Sequence, residues 1–224
     1  MDIDRLIKKD EVHRDVYVSE EVFSLEMDRI FGSAWIYVGH DSQIPNPGDY
    51  WTTRIGLQSV VMTRGKRDEI NIFYNRCPHK GARIAEEGCG HTNGLFRCPY
   101  HAWTFNLDGK LRGVPYLDGY QDTSFDLTDP RFSLRKVARV AAYRGFVFAS
   151  LAEDGAEFED FLAGVKSSLD NFCDRAPEGT VSVAGGVFRV VQRSNWKIFF
   201  ENLNDTGHPI ATHESSYRAA RQYS

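Results

Sequence analysis

NRCPHKGARI at 75–84 and FRCPYHAWTF at 96–105 are the stretches on which the reading of this sequence turns. Each half offers one thiol and one imidazole, Cys77-x-His79 and Cys98-x-x-His101, with 18 residues between His79 and Cys98. Two Cys and two His also make a structural zinc site, but zinc-finger spacing puts both Cys in one half and both His in the other. Here the halves are mixed. The neighbours suit loops wrapped round an inorganic core: Pro78 and Pro99 stiffen the backbone, Gly81 permits close approach, and Trp103 is placed to pack beside the site.

Outward from these loops, the sequence from Trp35 to about Leu151 alternates short β-branched and aromatic runs with turn residues: PNPGD at 45–49, RGKRDE at 64–69 and LDGK at 107–110. That punctuation predicts an antiparallel β domain, with Asp108-Gly109 as a type I′ hairpin turn. The most apolar stretch, 137–152, is interrupted by Arg139 and Arg144 and reads as two strands. Upstream, Ser19 starts a helix on which Phe23, Met27, Ile30 and Phe31 recur, with Gly32 as the stop. Downstream, the acidic linker AEDGAE at 152–157 precedes a helix with Phe161, Leu162, Val165, Leu169 and Phe172 on one face. A strand at 181–192 and a helix from about Trp196 to Asn204, capped by Asn195, follow. The expected organisation is a helical segment at 1–34, a β domain at 35–152 and a second domain beginning at 153 and running to 224.

Composition narrows the functional classes. The 224 residues are 42% hydrophobic and 26% charged, as in an ordinary globular protein. A net charge of −4, with both signs interleaved, leaves no basic stripe for nucleic acid. No run approaches the ~18 apolar residues of a membrane span, and the charged start MDIDRLIKKDEVHRD lacks the features of a secretory signal. The expectation is a cytoplasmic protein with neither nucleic-acid nor membrane partners, whose four Cys serve metal binding rather than disulfides.

A second histidine pair lies in NWKIFFENLNDTGHPIATHES at 195–215, where His208 and His213 sit close to Glu201 and Asp205. Asp205 and His208 are three apart and would share a helical face, whereas His213 would point away unless Pro209 breaks the helix and swings it back. His13, His40 and His91 have no partner pattern and read as surface or hydrogen-bonded structural residues. Cys89 reads as a surface or small core thiol, Phe199 and Phe200 as core.

Taken together, the two loops resemble the cluster-binding motif of Rieske proteins, and GVP at 113–115 resembles their proline-bearing third loop. The segment at 195–215 resembles the mononuclear iron motif of Rieske aromatic ring-hydroxylating oxygenases. The resemblance implies a [2Fe-2S] cluster with Cys77 and Cys98 on the inner iron and His79 and His101 on the outer one, each loop giving one ligand to each iron. It implies that His208 and His213 are two ligands of a 2-His-1-carboxylate site for Fe(II). Asp205 would be the bridging acid between that site and a cluster histidine of a neighbouring subunit, and Asn202 a polar neighbour.

The implied fold is α+β: an N-terminal helix, an antiparallel β Rieske domain, then the beginning of a helix-grip type catalytic domain. The implied protein is an oxygenase alpha subunit, cut short at its C-terminal end. It would be fed with electrons from NADH through a reductase and, in some systems, a ferredoxin, and assembled as a homotrimeric or hetero-oligomeric core with or without a small beta subunit. Its substrate would be an aromatic small molecule, with O₂-dependent cis-dihydroxylation of the ring as the leading outcome. Respiratory Rieske proteins add a Cys to each loop; here Ala82 and Tyr100 stand at those positions, so a potential near the low end of the Rieske range, about −150 mV, is expected. Monooxygenation or demethylation, and a ferredoxin-like carrier role, are the alternatives.

Overall fold

The run Val60-Val61-Met62, between Ser59 and Thr63, is apolar without alternation, the pattern of a strand covered on both faces. The computed structural model, which describes residues 2–183 and 185–222, places this run in the middle of a sheet. In chain order, helices α1 (Asp15–Val18) and α2 (Glu20–Arg29) precede strands β1 (Ile36–His40), β2 (Asp49–Ile55), β3 (Gln58–Arg64), β4 (Ile70–Tyr74) and β5 (Cys89–His91). Strands β6 (Leu95–Arg97), β7 (Thr104–Asn106), β8 (Leu111–Gly113), β9 (Arg139–Tyr143) and β10 (Phe146–Ser150) follow. Helices α3 (Phe158–Cys173), α4 (Trp196–Asn204), α5 (His208–Thr212) and α6 (Glu214–Gln222) complete the chain.

Two compact units emerge: residues 26–187, and residues 1–25 with 188–224. In the larger unit the strands form antiparallel sheets of order β1-β10-β9, β4-β3-β2-β5 and β6-β7-β8. Because side chains alternate across a strand, β3 and β4 serve two cores. Val60, Met62 and Ile72 face one with Val38, Ile44, Ile55 and Val147, while Val61 and Phe73 face the other with Phe96, Phe105, Trp103, Cys77 and Cys98. Each fully buried Val or Phe here stabilises the fold by about 1.5–3 kcal/mol. Both motif cysteines are therefore part of a dry core.

The expected hairpin at 107–110 forms, with different geometry. Gly109 alone is left-handed (φ 87°), while Asp108 is not among the positive-φ residues, so the turn is not type I′. A Cβ on Gly109 would sit 2.4 Å from Phe73 Cε1, so glycine is required there by close approach as well as by φ.

Helix α3 also differs from expectation. Its buried side chains are Phe158, Leu162 and Cys173, with Phe158 edge-on to Trp35 at 5.1 Å, whereas Phe161, Val165 and Phe172 are about half exposed. The apolar arc is wider than the surface that receives it. The predicted strand at 181–192 is not formed among the described residues: Gly186 is left-handed (φ 88°), no neighbouring strand pairs with the segment, and Phe188 and Val191 are more than nine-tenths exposed.

In the smaller unit, Leu6, Val16 and Val22 form a core with Tyr17 beside it. The Asn195 side chain caps α4 by accepting from the Lys197 amide at 3.0 Å and donates to the Tyr17 carbonyl at 3.0 Å. Tyr17 Oη donates to Glu201 at 2.7 Å, which gives that carboxylate a partner. Phe199 and Phe200 are about half exposed rather than core. Among the described residues, no helix is long and apolar enough to cross a membrane.

Candidate metal centre

The two motif loops share one hydrogen-bond plan. In the first, the Cys77 amide donates to the Ala82 carbonyl at 2.8 Å and the Gly81 amide to the Cys77 carbonyl at 2.9 Å. In the second, the Cys98 amide donates to the Trp103 carbonyl at 2.8 Å and the Ala102 amide to the Cys98 carbonyl at 3.0 Å. The fourth residue after each Cys is left-handed, Gly81 at φ 77° and Ala102 at φ 55°. Two sequences with different histidine offsets thus make the same turn, which carries one sulfur inward and one imidazole outward.

The second loop is held by the β6–β7 pairing at Arg97↔Thr104. The first leaves β4 and is held by Asn75, a residue not singled out from sequence. Its buried side chain accepts from the Ile84 and Ala85 amides, both at 2.9 Å, and donates to the Ala85 carbonyl at 2.7 Å. An amide directly after a strand and two residues before a motif cysteine is the signal that would have flagged it.

Between the loops the side chains meet in pairs, sulfur beside sulfur and ring against ring. Cys77 and Cys98 are buried, and burial pushes the Cys77 thiol up to about 11; the His79 and Lys80 amides pull it down, while the Cys98 thiol beside it raises it further. A buried sulfur pair of this kind becomes thiolate when a cation compensates its charge. The His79 and His101 rings meet at 4.7 Å, and Tyr100 covers His101 at 3.8 Å. His79 is held below the usual histidine range by burial and by His101, so it is the neutral, ligating form that this environment favours.

His79 Nδ1 is buried and makes no hydrogen bond, which is uncommon for a buried polar atom and has a simple explanation if the atom is a metal ligand. Two sulfurs inside and two imidazoles outside fit the donor set of a [2Fe-2S] cluster bound by Cys₂ and His₂. All four cysteines are free thiols, Cys89 exposed and Cys173 buried. Val114, of the third loop, packs against the same core. His40 and His91 are hydrogen-bonded, to Ser42 at 2.9 Å and Asp49 at 2.7 Å.

The second histidine pair is brought together by a different route from the one expected. α4 ends at Asn204, with Asp205 as its extended C-cap, so the helix stops four residues before Pro209. Pro209 instead lies in the first turn of α5, where the absent N–H costs nothing. Asp205 and His208 therefore meet across a turn rather than along one helix: Asp205 Oδ1 accepts from the Gly207 amide at 2.8 Å and the His208 amide at 3.3 Å. These amides, Gly207 first, hold the Asp205 carboxyl below the usual range.

The His208 and His213 rings lie 5.5 Å apart at 72°. His208 Nδ1 is 3.4 Å from Asp205 Oδ2 without forming a hydrogen bond, and His208 Nε2 is 3.4 Å from the Asn202 amide. Among the described residues no three His, Cys, Asp or Glu side chains surround a common point, at the paired loops or here, so His208 and His213 stand as a pair.

Comparison with known proteins agrees with this geometry. Residues 34–134 match the family model of the Rieske [2Fe-2S] domain. The chain is 41% identical to the toluate 1,2-dioxygenase subunit alpha of Pseudomonas putida, over 98% of this chain and 49% of that protein. It is 36% identical to the N,N-dimethyl phenylurea N-demethylase subunit alpha of Sphingobium sp. (strain YBL2), over 88% of this chain and 42% of that one. The fold superposes on naphthalene 1,2-dioxygenase from Rhodococcus sp. with a TM-score of 0.82 at 34% identity, covering 91% of this chain and 46% of the other. The chain thus spans about half the length of the relatives it matches.

Proposed function

Because the chain belongs to the Rieske-domain alpha subunits of the aromatic ring-hydroxylating oxygenases, we propose that it serves the terminal oxygenase of such a system, in the cytoplasm. The observation that carries this is the pair of like-built loops that set two buried thiols and two imidazoles face to face. Cys77, His79, Cys98 and His101 hold the cluster, and His208 and His213 supply two ligands to Fe(II). When bound, the cluster passes single electrons and the mononuclear iron activates O₂ for insertion into an aromatic ring. The electrons come from NADH through a reductase, directly or by way of a ferredoxin. The assembly is a homotrimeric or hetero-oligomeric core, with or without a beta subunit.

The residues' own parts follow from their surroundings. The sulfurs anchor one end of the cluster in the dry core, and the imidazoles face outward to exchange electrons. Asp205, kept ionised by the Gly207 and His208 amides, faces His208 Nδ1. With iron bound, closing that 3.4 Å gap would hold the proton on Nδ1 and leave Nε2 for the metal, the usual work of a carboxylate behind a ligating histidine. Asp205 would also bridge to a cluster histidine of the neighbouring subunit. The division into 1–34, 35–152 and 153–224 belongs to this proposal, and the family match over 34–134 supports its middle part.

The relative at 41% identity is named for toluate, so an aromatic carboxylate is the first substrate to test. The demethylase relative at 36% favours a second reading, N-demethylation, which differs by releasing formaldehyde instead of a ring diol. The test is single turnover in the full gene product: chemically reduced protein, toluate and O₂, with products identified by mass spectrometry. Hydroxylated toluate is expected, and Asp205→Asn should abolish it while both iron signals stay. Turnover retained in the variant removes the coupling role; neither an oxygenated ring nor formaldehyde from an N-methylated substrate leaves only an electron carrier.

A further inference from the structure

A groove of about 1070 Å³ in the 26–187 unit runs along the outer side of the first cluster loop, with Pro78 and Gly81 in its wall. Its lining holds Arg54, Arg76, Arg83, Arg131 and Arg135 against a single acid, Asp28. The lining therefore carries +4, which leaves −8 for the rest of a chain whose net charge is −4. Arg131 is paired with Asp129 at 2.6 Å. Arg54, Arg76, Arg83 and Arg135 are exposed, and among the described residues none of them has an acidic partner. Arg135 lies over the Tyr74 ring at 5.0 Å. The Arg76 stem lies 4.0 Å from where a Cβ on Gly81 would stand, so its charge is held against the loop that carries His79.

Unpaired arginines gathered in one groove of an otherwise acidic chain repel one another, and they persist best where a partner of opposite charge completes them. We propose that this groove is the docking site for an acidic electron-donor protein, with Arg76 and Arg83 steering it to the Cys77–Ala82 loop and Arg54 and Arg135 gripping its far side. The proposal rests on the reading of a cluster that receives electrons from a separate protein. A second copy of this chain could offer acidic surface too, but the groove's contact with the cluster loop favours the donor. Complementary charge acts mainly on the rate of encounter and weakens with salt.

The test is stopped-flow reduction of the cluster, followed by its visible absorbance, with two reductants: a reduced, strongly acidic plant-type ferredoxin as probe, and a photoreduced neutral deazaflavin as control. Arg76→Glu with Arg83→Glu, and separately Arg54→Glu with Arg135→Glu, should each slow the ferredoxin reaction at least tenfold at low salt. Both should leave the deazaflavin reaction and the spectrum unchanged, and 0.5 M salt should bring wild type and variants together. Equal ferredoxin rates at low salt overturn the proposal, as does equal slowing with both reductants in both variants, or a changed oligomeric state, which assigns the groove to a second copy. A wild-type chain with no reducible cluster instead overturns the reading beneath it.

Discussion

The His79 imidazole lies flat on the Trp103 indole, their centroids 4.8 Å apart and their planes 3° from parallel. The indole is buried and is itself braced edge-on by Phe125 at 5.7 Å and Phe132 at 6.1 Å. A residue from the second loop thus sets the ring orientation of the histidine on the first. Trp103→Ala should cost about 3–5 kcal/mol through the lost packing and hasten cluster loss. Trp103→Phe, which keeps a ring under His79, should retain most of the iron. Thermal denaturation and iron per chain measure both; an Ala variant as stable and iron-replete as wild type contradicts the bracing role.

Asn75 closes the first loop with three hydrogen bonds from one buried side chain. Asn75→Ala strands two amides and a carbonyl out of reach of water, at about 1–3 kcal/mol each where no rearrangement relieves them. Loss of more than about 2 kcal/mol is expected, with iron release at a chelator concentration that the wild type withstands. A change below 1 kcal/mol would mean that the loop is held by its metal ligands alone.

The left-handed position after each Cys tests the shared turn. A Cβ on Gly81 would meet only the Arg76 stem at 4.0 Å, so Gly81→Ala adds no clash and its cost is conformational, about 1–2 kcal/mol before the smaller gain from a stiffer unfolded chain. Ala102 already bears that strain at φ 55°, so Ala102→Gly should fall within about 1 kcal/mol of wild type. If Gly81→Ala proves neutral by denaturant titration, the turn assigned to the first loop is wrong.

Helix α3 separates what the sequence states from what packing decides. Leu162→Ala, in a fully buried position beside Trp35, should cost about 2–5 kcal/mol. Phe161→Ser, one residue away on the exposed side, should stay within about 0.5 kcal/mol. Equal costs would restore the face that periodicity predicts, which places Phe161 and Leu162 together.

That contrast explains how far the sequence could be read. The two paired loops were legible because their pattern lies in residue identity and spacing, and the Asn195 cap because one side chain satisfies one nearby amide. Where tertiary partners choose, local pattern fell short. Periodicity marks an apolar arc on α3 but cannot say which part meets Trp35. The helix break falls at Asp205 because its side chain competes for the Gly207 and His208 amides, and Pro209 then begins α5 rather than ending α4. Asn75 stayed hidden because its partners, Ile84 and Ala85, lie on the far side of the loop.

Mixed ligation of the cluster is most directly measured by pulsed EPR on the reduced protein carrying ¹⁵N-histidine, alongside iron and acid-labile sulfide per chain. Two strongly coupled histidine nitrogens are expected, both lost from the cluster signal's pattern one at a time in His79→Cys and His101→Cys. A chain that binds zinc, or a reduced cluster with no histidine coupling, contradicts the assignment of Cys77, His79, Cys98 and His101.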